Sequence, residues 1–280
     1  MKKLMFVAAA IAAGVAVADV TSANVVGYQS VAKPTGCQYS MAGSMFIAPG
    51  AEEFSLADID ITWPTTTAMQ KNQNNSRTQS IQFMAAGSSF RLDAQRAYYK
   101  CLADGKWYRK VGASTSTDVW IPDPSTNKFA AGTGFLCNFG KEATITFSGE
   151  ILTGGEDQKL AFIKPTGCQF FIASNVSGRE LSLNELDITW PTTTAMQKNQ
   201  NNSRTQSIQF MASGSSFRLD ADRAYYRCLA DGKWYQKKGA STSTDEELTG
   251  EKLTGVKIRA GEAFLCNFGK DATITIPSAL

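Results

Sequence analysis

Short stretches in which apolar and polar residues alternate recur along this chain, separated by Gly, Asn and Asp. Many of the apolar residues are β-branched or aromatic, and long runs with helical periodicity do not occur in the sequence. This pattern is typical of β-strands joined by turns. We therefore predict an all-β fold of two tandem modules, each an antiparallel β-sandwich or small barrel of six or seven strands joined largely by hairpins.

Two turns illustrate the pattern. Ala97 to Leu102 and Lys106 to Lys110 flank Asp104-Gly105, a dipeptide that favours the positive φ angles of a tight hairpin. Gly134 to Phe139 and Ala143 to Phe147 flank a second turn. Both segments therefore predict strand pairs.

Helical signals are confined to two short motifs. Ser182-Leu183-Asn184-Glu185 has the spacing of a capping box, and Ser55-Leu56-Ala57-Asp58 is its weaker equivalent. Each motif predicts one or two helical turns.

The two modules are copies of one another. Residues 60–85 and 187–212 are the same 26-residue string, and only five of 59 positions differ between residues 60–118 and 187–245. We assign residues 19–150 to copy one and residues 151–280 to copy two. The segments after Asp118 and Asp245 differ in length between the copies, which predicts surface loops there. Pro64 to Gln79 is polar without apolar periodicity and predicts a long loop.

Residues 1–18 have the features of a secretory signal peptide. Lys2 and Lys3 precede an apolar run, and Ala16-Val17-Ala18 forms a small-residue cleavage pattern. The run is too short to span a bilayer, so we predict export to the envelope or beyond without stable membrane insertion. Removal of Lys2 and Lys3 would lower the net charge from +3 to +1. A nearly neutral chain gives no electrostatic support for nucleic acid binding.

Six cysteines occur, three in each copy: Cys37, Cys101, Cys137, Cys168, Cys228 and Cys266. In an exported protein this number predicts disulfides, with two equivalent bridges inside the copies and one joining the leftover pair as the simplest symmetric scheme. The alternatives are bridges between chains or buried, reduced thiols. The sequence has no CxxC motif and no His, so we predict neither a metal site nor a cofactor.

Three sequence segments resemble a group of secreted bacterial β-rich repeat proteins that is functionally uncharacterised. They are SANVVGYQSV at residue 22, DGKWY at residues 104 and 231, and the closing AGTGFLCNFGKEATITFSGE at residue 131 with its shorter counterpart at residue 260. The resemblance implies export and a β-rich fold, and it transfers no catalytic residue. Copy two departs from the pattern because Leu160 to Ile163 replaces the VVGY opening.

Candidate catalytic chemistry is limited. The absence of His removes the usual general base and every Ser-His or Cys-His nucleophile. Carboxylates could hydrolyse glycosides without His, but solvated turn charges explain the close groupings more simply. These groupings are Asp58 with Asp60, Asp220 with Asp222, and Asp245 with Glu246 and Glu247. We therefore predict a protein without catalytic residues.

Aromatic and basic residues provide the candidate binding groups. Trp107-Tyr108 and Trp234-Tyr235 occupy strand positions where one ring of each pair points outward, as a platform for stacking on sugars or as cross-strand packing. Arg77 and Arg204 are the candidates for contacting an acidic group.

The first hypothesis for function is an exported, non-enzymatic structural or surface-interaction protein. The second is a carbohydrate-binding protein that uses exposed Trp and Tyr side chains, and the third is a carboxylate-based glycoside hydrolase. Candidate partners are extracellular polysaccharide and other envelope proteins, and a paired module also suits self-assembly.

Overall fold

The computed structural model describes residues 25–47, 52–63, 73–151, 159–190 and 200–277. The predicted signal peptide lies outside these ranges. Within them, the first half of the chain forms eleven strands: β1 (Val25–Ala32), β2 (Tyr39–Gly43), β3 (Glu53–Ser55), β4 (Ile59–Thr62), β5 (Ser80–Met84), β6 (Leu92–Lys100), β7 (Trp107–Arg109), β8 (Val119–Trp120), β9 (Lys128–Ala130), β10 (Gly134–Asn138) and β11 (Thr144–Ile151).

The second half repeats this order. Its strands are β12 (Lys159–Ile163), β13 (Phe170–Ser174), β14 (Leu181–Ser182), β15 (Asp187–Thr189), β16 (Ser207–Met211), β17 (Leu219–Arg227), β18 (Trp234–Gln236), β19 (Glu246–Glu247), β20 (Lys257–Ile258), β21 (Ala263–Asn267) and β22 (Thr273–Pro277). Three short α-helices accompany the strands, namely α1 (Gln73–Arg77), α2 (Gln200–Arg204) and α3 (Gly250–Gly255). In the described part of the chain, no helix is long and apolar enough to cross a bilayer.

Each copy encloses its own core between two antiparallel sheets. In copy one, a three-stranded sheet (β1-β11-β4) faces a six-stranded sheet (β2-β10-β5-β6-β7-β8), and copy two has the same two sheets. Ile61 and Phe147 from the smaller sheet pack with Ile81 and Phe135 from the larger one, and all four are at most 1% exposed. The predicted all-β class is confirmed.

The Asp104-Gly105 hairpin is also confirmed. β6 pairs with β7 in the register Tyr99↔Tyr108 and Lys100↔Trp107, and Gly105 adopts a φ of +70° in the connecting loop. Both capping boxes form and each caps a single 3-10 turn, Leu56–Asp58 or Leu183–Glu185.

The second turn differs from the hairpin prediction. β10 pairs with β2 and β5, whereas β11 pairs with β1 and β4, so the turn between β10 and β11 carries the chain from one sheet to the other. Both strands have an alternating apolar face, and that face is directed at the same core from opposite sides. Alternation alone therefore did not separate a hairpin from a crossover.

Two predicted loops contain regular structure. Residues 64–72 and 191–199 lie outside the described residues, but Gln73–Arg77 and Gln200–Arg204 form α1 and α2. Val119–Trp120 and Glu246–Glu247 form the edge strands β8 and β19. Strands of two or three residues, such as β3, β8 and β9, are too short to produce a recognisable alternation, which is why eleven strands are present where six or seven were predicted.

The two copies pack against each other with twofold pseudo-symmetry. The Gln38 backbone N–H donates to Gly214 O at 3.0 Å, and its counterpart Gln169 donates to Gly87 O at 2.9 Å. The same contact is therefore made twice, with the roles of the two copies exchanged. Reciprocal contacts of this kind define an isologous interface, as in a homodimer with a twofold axis. The chain is thus arranged as a dimer fused into one polypeptide.

Apolar side chains fill this interface. Met84, Leu136, Ile172 and Leu265 are buried between the outer faces of the two large sheets. Phe90 packs against its own counterpart Phe217, with the rings tilted by 38° and their centroids 4.6 Å apart. Residues that meet their own counterparts lie at the pseudo-twofold axis.

The six cysteines are free and buried, which corrects the prediction of disulfides. Cys137 points from the middle of β10 into the core, Cys101 follows the end of β6, and Cys37 lies at the copy interface, where its Sγ accepts the Gly214 N–H at 3.4 Å. These elements direct the three thiols of one copy into different surroundings. The count of cysteines and the expected compartment carried no information on that geometry.

We expect Ellman's reagent to react slowly with the native protein and to titrate six thiols after unfolding in the absence of reductant. Burial raises the pKa of Cys137 to about 12 and raises that of Cys266, so both remain protonated at neutral pH. A fully reduced sample is the control. Fewer than six thiols in the unreduced, unfolded protein would show that disulfides form.

Candidate contact site

Three aromatic residues of copy one lie side by side on one face of the large sheet. Strand pairing places Tyr99 opposite Tyr108 and Tyr108 opposite Trp120. The Tyr99 and Tyr108 rings are stacked with centroids 5.5 Å apart. Tyr99 is fully buried, Tyr108 is half-buried, and Trp120 is 51% exposed. We call Lys106, Tyr108 and Trp120 the aromatic edge.

Trp120 is the residue that gives the aromatic edge its exposed surface. It lies on β8, the last strand of the sheet, beside Val119, which is 45% exposed. The Lys106 Nζ atom lies 5.0 Å from the centroid of the Trp120 ring, within the range of a cation–π contact. Such a contact orients the indole while leaving much of the side chain accessible.

The β6–β7 loop holds Tyr108 in place. Asp104 accepts hydrogen bonds from the Lys106 backbone N–H at 3.0 Å and from the Tyr108 hydroxyl at 2.9 Å. Burial opposes ionisation of Asp104, but these bonds together lower the pKa of its carboxyl. Partial desolvation and the bond to Asp104 raise the pKa of Tyr108 to about 12, so Tyr108 is neutral and its ring orientation is fixed.

The inner end of the row is anchored by α1 and by a buried carboxylate. Asp118 accepts hydrogen bonds from the Tyr99 hydroxyl at 2.8 Å, from Arg77 Nε at 2.7 Å and from the Val111 N–H at 2.8 Å. Gln73 donates to the same hydroxyl at 3.0 Å. Burial, followed by the bond to Asp118, raises the pKa of Tyr99. The residue directly after Asp118 begins β8, so this network also positions the aromatic edge.

Copy two has the same inner row and a different edge. Tyr226 and Tyr235 stack with centroids 5.4 Å apart, but Glu247 occupies the position of Trp120. Lys233, the counterpart of Lys106, forms an ion pair with Glu247 at 2.8 Å. A charged edge strand resists pairing and stacking, so the two copies present different edges to solvent.

The structure places most predicted binding residues away from this surface. Trp107 and Trp234 are 4% and 5% exposed and belong to the cores, which corrects their proposed role as platform rings. They share the inward face of their strands with Tyr98 and Tyr225. Tyr108 and Tyr235 lie on the opposite, outward face and are half-buried.

Arg77 and Arg204 are not available to an acidic ligand as predicted. Arg77 pairs with the buried Asp118, and Arg204 pairs with Asp245 at 2.6 Å. The side chains of the two arginines are 15% and 16% exposed. Their guanidinium groups therefore serve internal structure.

The candidate carboxylates Asp220 and Asp222 both lie in β17. Asp220 accepts the Asp222 N–H at 2.9 Å, an arrangement that orders the chain locally. Among the described residues, no group of three or more Cys, Asp or Glu side chains is arranged to hold a metal ion.

Trp120 was missed by the sequence analysis because it lies in the segment after Asp118 that was assigned to a loop. One signal was present: the near-identity of the copies ends at Asp118 and Asp245, and Val-Trp follows in one copy where Glu-Glu follows in the other. An abrupt change after a long identical stretch marks a position where the copies have diverged.

Comparisons of the chain with protein-family models, curated proteins and solved structures found no significant match.

Proposed function

We propose that this chain is an exported, non-enzymatic surface-interaction protein and that the aromatic edge of copy one is its contact surface. The observation that carries the proposal is the exposed Trp120 on an edge strand. Exposed aromatic groups with a neighbouring polar rim are typical of recognition surfaces. Copy two supports the assignment because Glu246 and Glu247 replace this surface in the same structural position.

Extracellular polysaccharide is the target that the chemistry of the edge favours. The faces of the Trp120 and Tyr108 rings can pack on the apolar face of a sugar, while Lys106 and the Tyr108 hydroxyl can hydrogen-bond to sugar hydroxyls. Carbohydrate binding is the second hypothesis from the sequence, which assigned it to Trp107. We assign it to Trp120, because Trp107 is buried and Trp120 is exposed.

The packing of the copies supports a role by contact. The isologous interface buries an apolar layer, so the two copies present their edges in a fixed relation. A fixed pair of edges suits a scaffold or envelope component that holds other molecules in place.

We expect Trp120→Ala to lower retention on an insoluble neutral polysaccharide, such as cellulose or chitin, about tenfold or more, since one aromatic contact contributes about 1.5–3 kcal/mol. The measurement is a depletion assay at several protein concentrations. Tyr28→Ala is the matched control, because Tyr28 is 80% exposed on β1, outside the aromatic edge.

A gain-of-binding variant sharpens this test. Glu247→Trp creates a second aromatic edge beside Lys233, and a protein with two edges should bind a polymer with higher avidity. The polysaccharide should be recovered uncut. Equal retention of wild type and Trp120→Ala, or release of soluble sugar, would contradict the proposal.

A further inference from the structure

A cleft of about 810 Å³ lies between the two copies, on one side of the pseudo-twofold axis. Its walls come from β1 and β2 of copy one and from β16, β17 and β21 of copy two. A cleft of this volume can accommodate a ligand of several hundred daltons. It exists only because the copies are packed together.

One wall carries three arginines and three carboxylates of copy two, namely Arg179, Arg223, Arg259, Glu180, Asp220 and Glu262. Arg223 is fixed by an ion pair with Glu262 at 2.9 Å and lies 3.9 Å above the centroid of the Phe210 ring. Arg179 pairs with Glu185 at 2.7 Å, outside the residues that line the cleft. Both guanidinium groups are therefore oriented before any ligand arrives.

Arg259 is the cation that is available to a ligand. It is exposed, and its side chain forms no hydrogen bond or ion pair with any residue that the structure describes. Its backbone N–H donates to Glu262 Oε2 at 2.9 Å, which holds the base of the side chain at the rim of the cleft. Of the carboxylates that share the cleft, Glu262 is neutralised by Arg223, and Glu180 and Asp220 remain.

The opposite wall offers neutral polar groups. Gln29 donates from Nε2 to Ala260 O at 2.5 Å, and its Oε1 atom is buried without a hydrogen-bond partner among the described residues. A buried acceptor without a donor is uncommon in folded proteins, and because this oxygen is fully buried, a ligand would reach it only after the Gln29 side chain turns. Ser30 lines the cleft next to it.

Two of the three arginines are specific to this side of the molecule. Strand pairing aligns β14 and β20 of copy two with β3 and β9 of copy one, so the counterparts of the cleft residues can be named. Arg179, Arg223 and Arg259 correspond to Glu52, Arg96 and Ala130, and Glu262 corresponds to Thr133. The equivalent positions on the other side of the pseudo-twofold axis thus hold one arginine where the cleft holds three. This difference arose by divergence of the two copies.

We propose that this cleft binds a short oligosaccharide that bears carboxylates, of the uronate class. Arg259 pairs with a ligand carboxylate at the rim, and the Ser30 hydroxyl on the opposite wall can hydrogen-bond to a sugar hydroxyl. The cleft is separate from the aromatic edge and requires no contact with it.

The test is isothermal titration of the full chain with tetragalacturonate. We expect Arg259→Ala to weaken binding about tenfold or more, the effect of one charge-assisted hydrogen bond. Arg218→Ala is the matched control, because Arg218 is an exposed arginine of copy two that does not line the cleft. The methyl ester of the same tetrasaccharide, which lacks the charge, should bind at least tenfold more weakly to wild type.

Three outcomes would overturn the proposal. They are the absence of binding to wild type, equal binding by Arg259→Ala and wild type, and binding of inorganic phosphate as tight as that of tetragalacturonate. Trp120→Ala should leave tetragalacturonate binding unchanged, so failure of the aromatic edge and failure of the cleft are distinguishable.

Discussion

Replacing Asp118 with alanine should lower the free energy of unfolding by about 3–5 kcal/mol, the cost of leaving one member of a buried ion pair without its partner. The Asp118 side chain is fully buried and satisfies Arg77, the Tyr99 hydroxyl and the Val111 N–H at once. Its removal leaves a nearly buried guanidinium without a counter-charge and two donors without an acceptor. Urea unfolding followed by tryptophan fluorescence measures the loss.

Copy two and a surface pair supply the controls for Asp118→Ala. Asp245 accepts the equivalent three hydrogen bonds, from Arg204, Tyr226 and Lys238, so Asp245→Ala should have an effect of the same size. Asp60 pairs with Lys100 at 2.5 Å but its side chain is half exposed, so Asp60→Ala should cost about 1 kcal/mol or less. A loss below that of Asp60→Ala would show that Asp118 is not a structural centre.

Replacing Gly43 with serine should lower the free energy of unfolding by about 1–3 kcal/mol, because it overpacks the interface between the copies. A Cβ atom on Gly43 would lie 2.2 Å from Cβ of Ser174, far inside contact distance. Gly43 and Ser174 occupy equivalent positions in the two copies and face each other at the pseudo-twofold axis. The added side chain therefore acts on the interface and leaves the core of copy one unchanged.

A glycine with open surroundings is the control for Gly43→Ser. A Cβ atom on Gly255 meets no atom within 4 Å, and Gly255 has no positive φ angle. Gly255→Ser should change the free energy of unfolding by about 0.5 kcal/mol or less. Equal effects of the two substitutions would mean that the copies do not pack as described.

The fold class followed from sequence because alternation and turn chemistry are local signals. The Asp104-Gly105 hairpin and the capping box at Ser182 were both predicted, since each depends on neighbouring residues alone. The assignment of β10 and β11 to different sheets depends on contacts distant in sequence, and no local pattern encodes it.

The candidate site was predicted only in outline. Strand alternation required one of Trp107 and Tyr108 to face inward, but it did not say which one, and the core takes the larger indole. Arg77 was assigned to a ligand because its partner Asp118 is 41 residues away in sequence. The exposure of Trp120 follows from the position of β8 at the edge of the sheet, which no local sequence pattern predicts.

Sequence differences between the copies at their interface make the packing of copy one on copy two specific. Gly43 opposes Ser174, and Gly134 packs against its counterpart Ala263, so at both places a smaller residue of copy one fits a larger residue of copy two. The Ser174 hydroxyl is buried without a partner among the described residues. An interface between two modules that both had the copy-two sequence would bring two serines together. The interface therefore favours the pairing of copy one with copy two.

The transposed variant Gly43→Ser with Ser174→Gly tests the fused, pseudo-twofold arrangement most directly. If the two positions face each other across the axis, exchanging them recreates the same packing from the opposite side. The double variant should then unfold within about 0.5 kcal/mol of wild type, although Gly43→Ser alone is destabilised. A double variant whose loss equals the sum of the two single losses would contradict the arrangement.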